Sequence, residues 1–216
     1  MQVEYHNIRD AYRKGLLKYL SRAISGISLP ENAEILDIGC GTGVPALFMA
    51  KNHNVHITAV DPDATSIQVL KERIRTIPLK GTIEPFQISF SEMKTHVEHY
   101  DLILAEGFLN VVGFRKSFPA IVNLLKKKAY LVIHDEYKDH PGKMQLIKKC
   151  NCRLLDFFHL DSDVWWNDYY ASLEHAISFY QDRTLKTYFG SDLAEIEQFR
   201  KNPSQFHSVY YVLQKN

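Results

Sequence analysis

The run Ile35-Leu36-Asp37-Ile38-Gly39-Cys40-Gly41-Thr42-Gly43-Val44-Pro45 leaves this chain few ways to fold. Ile35, Leu36 and Ile38 place apolar side chains on both sides of a pleat, as a strand covered on both faces requires. Glycines at 39, 41 and 43 then permit a sharp turn and a close approach of backbone to a ligand. Pro45 suits the first turn of a following helix, where a missing N–H costs nothing. A glycine turn between a buried strand and a helix points to a nucleotide-like ligand at the carboxyl edge of a parallel sheet.

The residues around the turn narrow the ligand. A nicotinamide dinucleotide fingerprint needs a third glycine three residues after the second, where Val44 stands. Asp37 sets a carboxylate beside the turn, which repels a pyrophosphate and attracts a cationic head. S-adenosylmethionine has such a head, with an ammonium and a sulfonium. Eighteen residues beyond Gly43, Ile57-Thr58-Ala59-Val60-Asp61 reads as a second strand ending in an acid. That spacing suits a carboxylate accepting ribose hydroxyls.

Together, Asp37-Ile38-Gly39-Cys40-Gly41-Thr42-Gly43 and Val60-Asp61 resemble the class I S-adenosylmethionine-dependent methyltransferases. The resemblance implies a three-layer α/β/α fold built on a seven-stranded, mostly parallel sheet in the order 3-2-1-4-5-7-6. It also implies an antiparallel last strand and an aromatic helical insertion. Cofactor contacts are implied for Asp37, Gly39, Cys40, Gly41, Thr42, Gly43, Asp61 and Pro62.

Residues 3–25 carry Tyr5, Ile8, Tyr12, Leu16, Tyr19, Leu20 and Ala23 at helical spacing, broken by Gly15. In the family such leading helices cover cofactor and substrate, so Tyr5 and Tyr12 are candidates to line the pocket, or else core aromatics. Ala64, Ile67, Leu70, Ile74 and Ile77 make an apolar stripe that ends at Pro78, the second crossover helix. Pro85 within Thr82–Ser89 assigns the third strand to an outer position. The family commonly has an acid just after this strand, facing the adenine; Ser89 stands there, with Phe90 as a candidate to stack on the ring.

Tyr100–Glu106 is the fourth strand, and the helix that follows has Phe118, Ile121, Val122 and Leu125 on one face. The run Asp101-Leu102-Ile103-Leu104-Ala105-Glu106-Gly107 with Asn110-Val111-Val112-Gly113-Phe114 resembles small-molecule methyltransferases related to quinone-biosynthesis enzymes. That likeness implies that Glu106 and Asn110 lie near the sulfonium and the acceptor. Lys126, Lys127 and Lys128 read as a solvated turn before a fifth strand from Ala129 to Ile133. That strand runs into His134-Asp135-Glu136-Tyr137, where His134 or Glu136 is a candidate general base or substrate contact.

A helix and a sixth strand, Arg153–Leu160, follow. In Asp163-Val164-Trp165-Trp166-Asn167-Asp168-Tyr169-Tyr170, the four-residue spacing of Trp165, Tyr169 and Leu173 turns one aromatic face inward, as core packing or as an active-site lid. Trp165 and Tyr169 are therefore candidate substrate contacts. A short amphipathic helix covers Ser191–Lys201, and His207–Leu213 closes the chain as a strand.

Composition bounds the function. At 216 residues and 45% hydrophobic content, the chain supports one domain: a helical cover (1–28), a cofactor-binding core (29–160), a helical lid insertion (161–206) and a last strand (207–216). With 26 basic and 25 acidic residues there is no electrostatic footprint for nucleic acid, so a small-molecule acceptor is expected. No apolar run is long enough for a membrane span. Three cysteines suit a reducing cytoplasm, and the isolated Cys150-x-Cys152 gives no metal site. The expected function is methyl transfer from S-adenosylmethionine. The rival readings are a non-catalytic methyltransferase-fold partner or scaffold and a nicotinamide-dependent reductase, the latter opposed by Asp37 and Val44.

Overall fold

A computed structural model describes residues 2–93 and 97–216. In chain order, helices α1 (Gln2–Arg13) and α2 (Leu17–Ile24) precede strand β1 (Ala33–Ile38), α3 (Val44–Asn52), β2 (Val55–Asp61), α4 (Ala64–Thr76), β3 (Thr82–Gln87) and β4 (Tyr100–Glu106). Next come α5 (Leu109–Val112), α6 (Phe114–Leu124), β5 (Leu125–Glu136), α7 (His140–Lys149) and β6 (Cys152–Leu160). The chain ends with α8 (Ser162–Trp165), α9 (Ala171–Phe179), α10 (Arg183–Tyr188), α11 (Gly190–Lys201) and β7 (Ser208–Lys215).

The seven strands form one sheet in the order β3-β2-β1-β4-β5-β7-β6. β1 pairs in parallel with β2 and β4, whereas β7 runs antiparallel between β5 and β6. This is the expected fold and strand order. Pro85 lies in β3 at the sheet edge, where its missing N–H breaks no ladder on the outer side. Alternation along β1 sends Ala33 and Ile35 to the core under α2, α3 and α4, and Leu36 and Ile38 to the core under α6 and α7. Asp37 therefore shares the face of Ile35, at the strand's carboxyl end.

Two local readings of the sequence need correction. The lysines at 126–128 belong to β5, which begins directly after α6 without an intervening turn. Lys128 takes a left-handed conformation (φ 64°), the register against β4 shifts there, and Lys126 neutralises Asp101 at 2.8 Å. The aromatic segment, in turn, is no uniform α-helix, because Trp166–Tyr170 forms a π-helical turn. The wider turn displaces the four-residue spacing, so Tyr170 stacks on Trp165 with centroids 5.9 Å apart.

The helices of this insertion pack with α1 in a third cluster that includes Tyr5, Tyr12, Tyr169, Leu173 and Phe199. Lys18 Nζ and the Tyr19 hydroxyl both bind the Asp168 carboxylate, tying α2 to the π-turn.

The glycine turn supplies a test of this packing. Gly43 has φ 76°, and a Cβ there would lie 2.3 Å from Leu70 of α4. Gly43→Ala is expected to cost about 2–4 kcal/mol in urea denaturation, from left-handed strain plus overpacking. Gly26→Ala, where a Cβ meets nothing within 4 Å, should stay within about 1 kcal/mol of wild type.

Candidate active site

The site begins with the turn after β1. Gly39 N–H and Cys40 N–H donate to the Val60 carbonyl at 2.9 and 3.1 Å, so the turn hangs from the end of β2. Gly41 N–H donates to Asp61 Oδ2 at 2.9 Å, and Asp61 Oδ1 accepts from Asp63 N–H at 2.8 Å. Gly39 and Gly41 have φ of 68° and 51°, conformations that a side chain disfavours. Nothing lies within 4 Å of a Cβ built on Gly41, so the backbone there faces open space.

That space is a cavity of about 640 Å³ at the carboxyl edge of the sheet, within the usual range for small-molecule sites. Gly39, Cys40, Gly41, Thr42 and Pro45 form one wall, and Asp37, Glu106, Asn110, His134 and Glu136 line it from the strand ends. Trp165 and Tyr170 close it from the insertion. The structure thus gathers most of the residues singled out in the sequence around one space.

Its electrostatics are unusual. Asp37 is 1% exposed, and its Oδ2 has no hydrogen-bond partner. Burial and the nearby Glu106 carboxylate push its pKa up to about 8, against the pull of the Ala46 N–H. Glu106 accepts a 2.8 Å hydrogen bond from the Tyr210 hydroxyl, yet burial still raises its pKa. A buried and a half-buried carboxyl group, neither in an ion pair among the described residues, suit a positively charged ligand. Cys40 is buried in the same wall, and burial with the neighbouring Asp37 and Asp61 charges raises its pKa, so the thiol keeps its proton.

His134 is poorly placed to act as a general base. Its ring is stacked on Tyr210 (4.3 Å, 4° between planes) and on Trp165 (5.7 Å, 12°), and Nε2 pairs with Ser208 Oγ at 2.9 Å. Burial, with the Arg13 charge second, pushes its pKa down to about 3. A neutral imidazole that weak accepts no proton efficiently near pH 7. It remains a cavity wall. Glu136 is exposed at the rim, and its carbonyl accepts from Lys143 Nζ.

Other candidates fall elsewhere. The Tyr5 hydroxyl donates to Asp192 Oδ2 at 2.8 Å and burial raises its pKa to about 12; Tyr12 packs in the same helical cluster, and neither lines the cavity. Tyr169 is 4% exposed and turned toward that cluster. Ser89 caps the short turn Phe90–Glu92 through Glu92, while Phe90 meets Phe108 edge-on at 5.6 Å. Both lie outside the cavity lining, as do Asp61 and the exposed Pro62.

Sequence reading missed Arg9, Arg13, Tyr170, Glu195, Ser208 and Tyr210, all of which line the cavity. Arg9 and Arg13 sit one turn apart on α1, a spacing visible in the sequence. Ser208 and Tyr210 reach the site only because β7 inserts beside β5, which no local pattern announces.

Comparison with known proteins agrees with this architecture. A family model described as a methyltransferase domain matches residues 35–128. Ribosomal protein L11 methyltransferase of Ruminiclostridium cellulolyticum is 28% identical over 122 residues, 56% of this chain and 37% of that protein. Phosphoethanolamine N-methyltransferase 1 of Zea mays is 27% identical over 122 residues, 56% of this chain and 24% of its own length. The chain therefore spans well under two thirds of these curated relatives. The solved structure of an S-adenosylmethionine-dependent methyltransferase from Geobacter sulfurreducens, in complex with S-adenosylhomocysteine, superposes with a TM-score of 0.71 at 14% identity. That alignment covers 93% of this chain and 90% of the other. Residues 35–128 thus match a methyltransferase domain, and the fold is that of the solved S-adenosylmethionine-dependent methyltransferase.

The state of Asp37 is testable without any ligand. Its folded pKa of about 8 lies above the unfolded 3.8, so its contribution to stability is full below about pH 4 and is lost as pH rises toward 8. Asp37→Asn should therefore match wild type in chemical denaturation near pH 4 and exceed it increasingly toward pH 8. A gap that does not change with pH would show that the carboxyl is not held protonated.

Proposed function

We propose that this chain binds S-adenosylmethionine at the glycine turn and directs its methyl group to a small-molecule acceptor. The observation that carries the reading is the buried, unpartnered Oδ2 of Asp37 beside Glu106. A ligand bringing an ammonium and a sulfonium satisfies both carboxylates, whereas a pyrophosphate would add like charge. The turn backbone, open at Gly41, admits the nucleoside without a Cβ in the way. Asp61, half-buried at the end of β2, accepts the ribose hydroxyls with oxygens that already order the turn.

When bound, the sulfonium supplies an activated methyl: an acceptor lone pair forms the new bond to carbon as the carbon–sulfur bond breaks, and that electron pair stays on sulfur. The chain's own work is alignment and exclusion of water. Trp165, Tyr170, Tyr210 and His134 give the cavity aromatic walls, with Trp165 fixed by its indole N–H donating to Ser208 Oγ at 3.1 Å. His134 stays neutral and moves no proton. Asn110 and Glu136, at the cavity rim, contact the acceptor.

A small acceptor is favoured by the limited volume of the cavity and by a charge balance of 26 basic to 25 acidic residues, which offers no net basic excess to a polyanion. Among the described residues no helix is long and apolar enough to cross a membrane.

Calorimetric titration tests the reading. S-adenosylhomocysteine and S-adenosylmethionine should bind in the micromolar range, while nicotinamide dinucleotides should not. Because Asp37 carries a proton before a cation arrives, adenosyl binding should release protons near pH 7, seen as a buffer-dependent heat, and tighten toward pH 8. Asp61→Ala should weaken adenosyl binding by about 1–3 kcal/mol through lost charge-assisted bonds. Folded protein that binds no adenosyl ligand would end the proposal.

A further inference from the structure

The cavity brings acidic and basic groups together. Asp37 and Glu106 stand at the strand ends, both with raised pKa values. To the same cavity α1 contributes Arg9 and Arg13. Arg9 is committed, with Nε 3.0 Å from Asp192 Oδ1, and Lys143 under the floor is committed to Asp135 at 2.6 Å. Arg13 is different. Among the described residues it makes neither an ion pair nor a side-chain hydrogen bond, although it lines the cavity.

Its charge is felt by Glu106, His134, Tyr169, Tyr170 and Tyr210. These groups belong to β4, β5, β7 and the insertion, the half of the site away from β2 and Asp61, where the nucleoside is placed above. The cavity that Arg13 lines also holds the His134–Tyr210–Trp165 stack, a flat wall whose order is fixed by Ser208 bridging His134 Nε2 and Trp165 Nε1 at 2.9 and 3.1 Å.

We propose that Arg13 binds an anionic group, a carboxylate or phosphate, on the methyl acceptor and seats the acceptor's body against this aromatic wall. The inference rests on the methyl-transfer reading and names the acceptor's class. A guanidinium presents a planar fork that matches carboxylate and phosphate oxygens in pairs. Arg13 is exposed at the cavity edge, where its charge draws anions toward the site. His134, being neutral, does not compete for the anion. The arrangement also suits the reaction, since a cationic donor and Arg13 together attract an anionic molecule into the cavity.

The test is calorimetric titration of wild type, Arg13→Gln and Arg13→Lys with benzoate, phenyl phosphate and the neutral isostere benzamide, each with and without saturating S-adenosylhomocysteine. Wild type should bind at least one anion about tenfold or more tighter than benzamide, a preference that Arg13→Gln abolishes and Arg13→Lys partly keeps. Affinity for S-adenosylhomocysteine should change less than about threefold in Arg13→Gln, which separates acceptor binding from cofactor binding. Equal affinity of wild type for anions and benzamide, or no binding of either anion, overturns the inference. So does a loss confined to S-adenosylhomocysteine, which would assign the guanidinium to that ligand's own carboxylate. Failure of wild type to bind S-adenosylhomocysteine at all would instead fall on the methyl-transfer reading, whatever the anions do.

Discussion

Much of the site hangs on one buried ion pair. Asp10 of α1 is 3% exposed, and its Oδ2 accepts from Arg73 Nη1 of α4 at 2.7 Å and from the Thr42 hydroxyl in the glycine turn. Arg73 also donates to the Thr42 carbonyl and to Asn7 Oδ1, so α1, α4 and the turn are joined at one point. A buried pair contributes modestly against a hydrophobic replacement, but removing one partner leaves a desolvated charge, so the geometry is held tightly. Because α1 is fixed here, its next faces are fixed too. Arg9 reaches Asp192 on α11, and Arg13 reaches the cavity. The insertion is thereby referred to the cofactor turn through α1.

The sequence made the sheet side of the site readable for a physical reason. Strand, glycine turn and helix are contiguous, so Asp37, Gly39, Gly41 and Asp61 could be placed from spacing alone, and Pro85 betrayed an edge strand by what it lacks. Features that depend on contacts between distant segments were not readable in this way. Tyr5 and Tyr12 have the helical phase of cavity residues, yet Asp192, 187 residues beyond Tyr5, draws the Tyr5 hydroxyl into the helical cap. Tyr169 and Tyr170 exchange places because a π-turn adds a residue that a regular helical period does not anticipate. The Lys126–Lys128 run looks like a solvated turn, but pairing with β4 and the Asp101 carboxylate draws it into β5. His134 has the composition of a base; only its stacking between Tyr210 and Trp165 reveals that it stays uncharged.

The charge left open in the cavity follows from which side chains are paired within the fold. Asp135 is neutralised by Lys143, and Arg9 by Asp192, so these strengthen the scaffold without shaping the field in the cavity. Among the described residues Asp37, Glu106 and Arg13 make no ion pair, although the Arg13 charge is felt by Glu106. Pre-organised, uncompensated charge has an energetic cost before ligands arrive, and that cost is offset when oppositely charged ligands enter.

The placement of Cys40 has a consequence for self-protection. A sulfonium donor is an alkylating agent, and the strongest soft nucleophile a protein owns is a thiolate. Here a cysteine forms part of the wall of the very cavity in which such a donor would sit. Burial to 5% exposure and the adjacent carboxylates keep its sulfur protonated, with Sγ turned to the Gly41 carbonyl at 3.5 Å. Burial first, and then the carboxyl groups proposed to receive the donor's positive charge, hold this cavity-lining cysteine as a thiol, the form least prone to take up a methyl group.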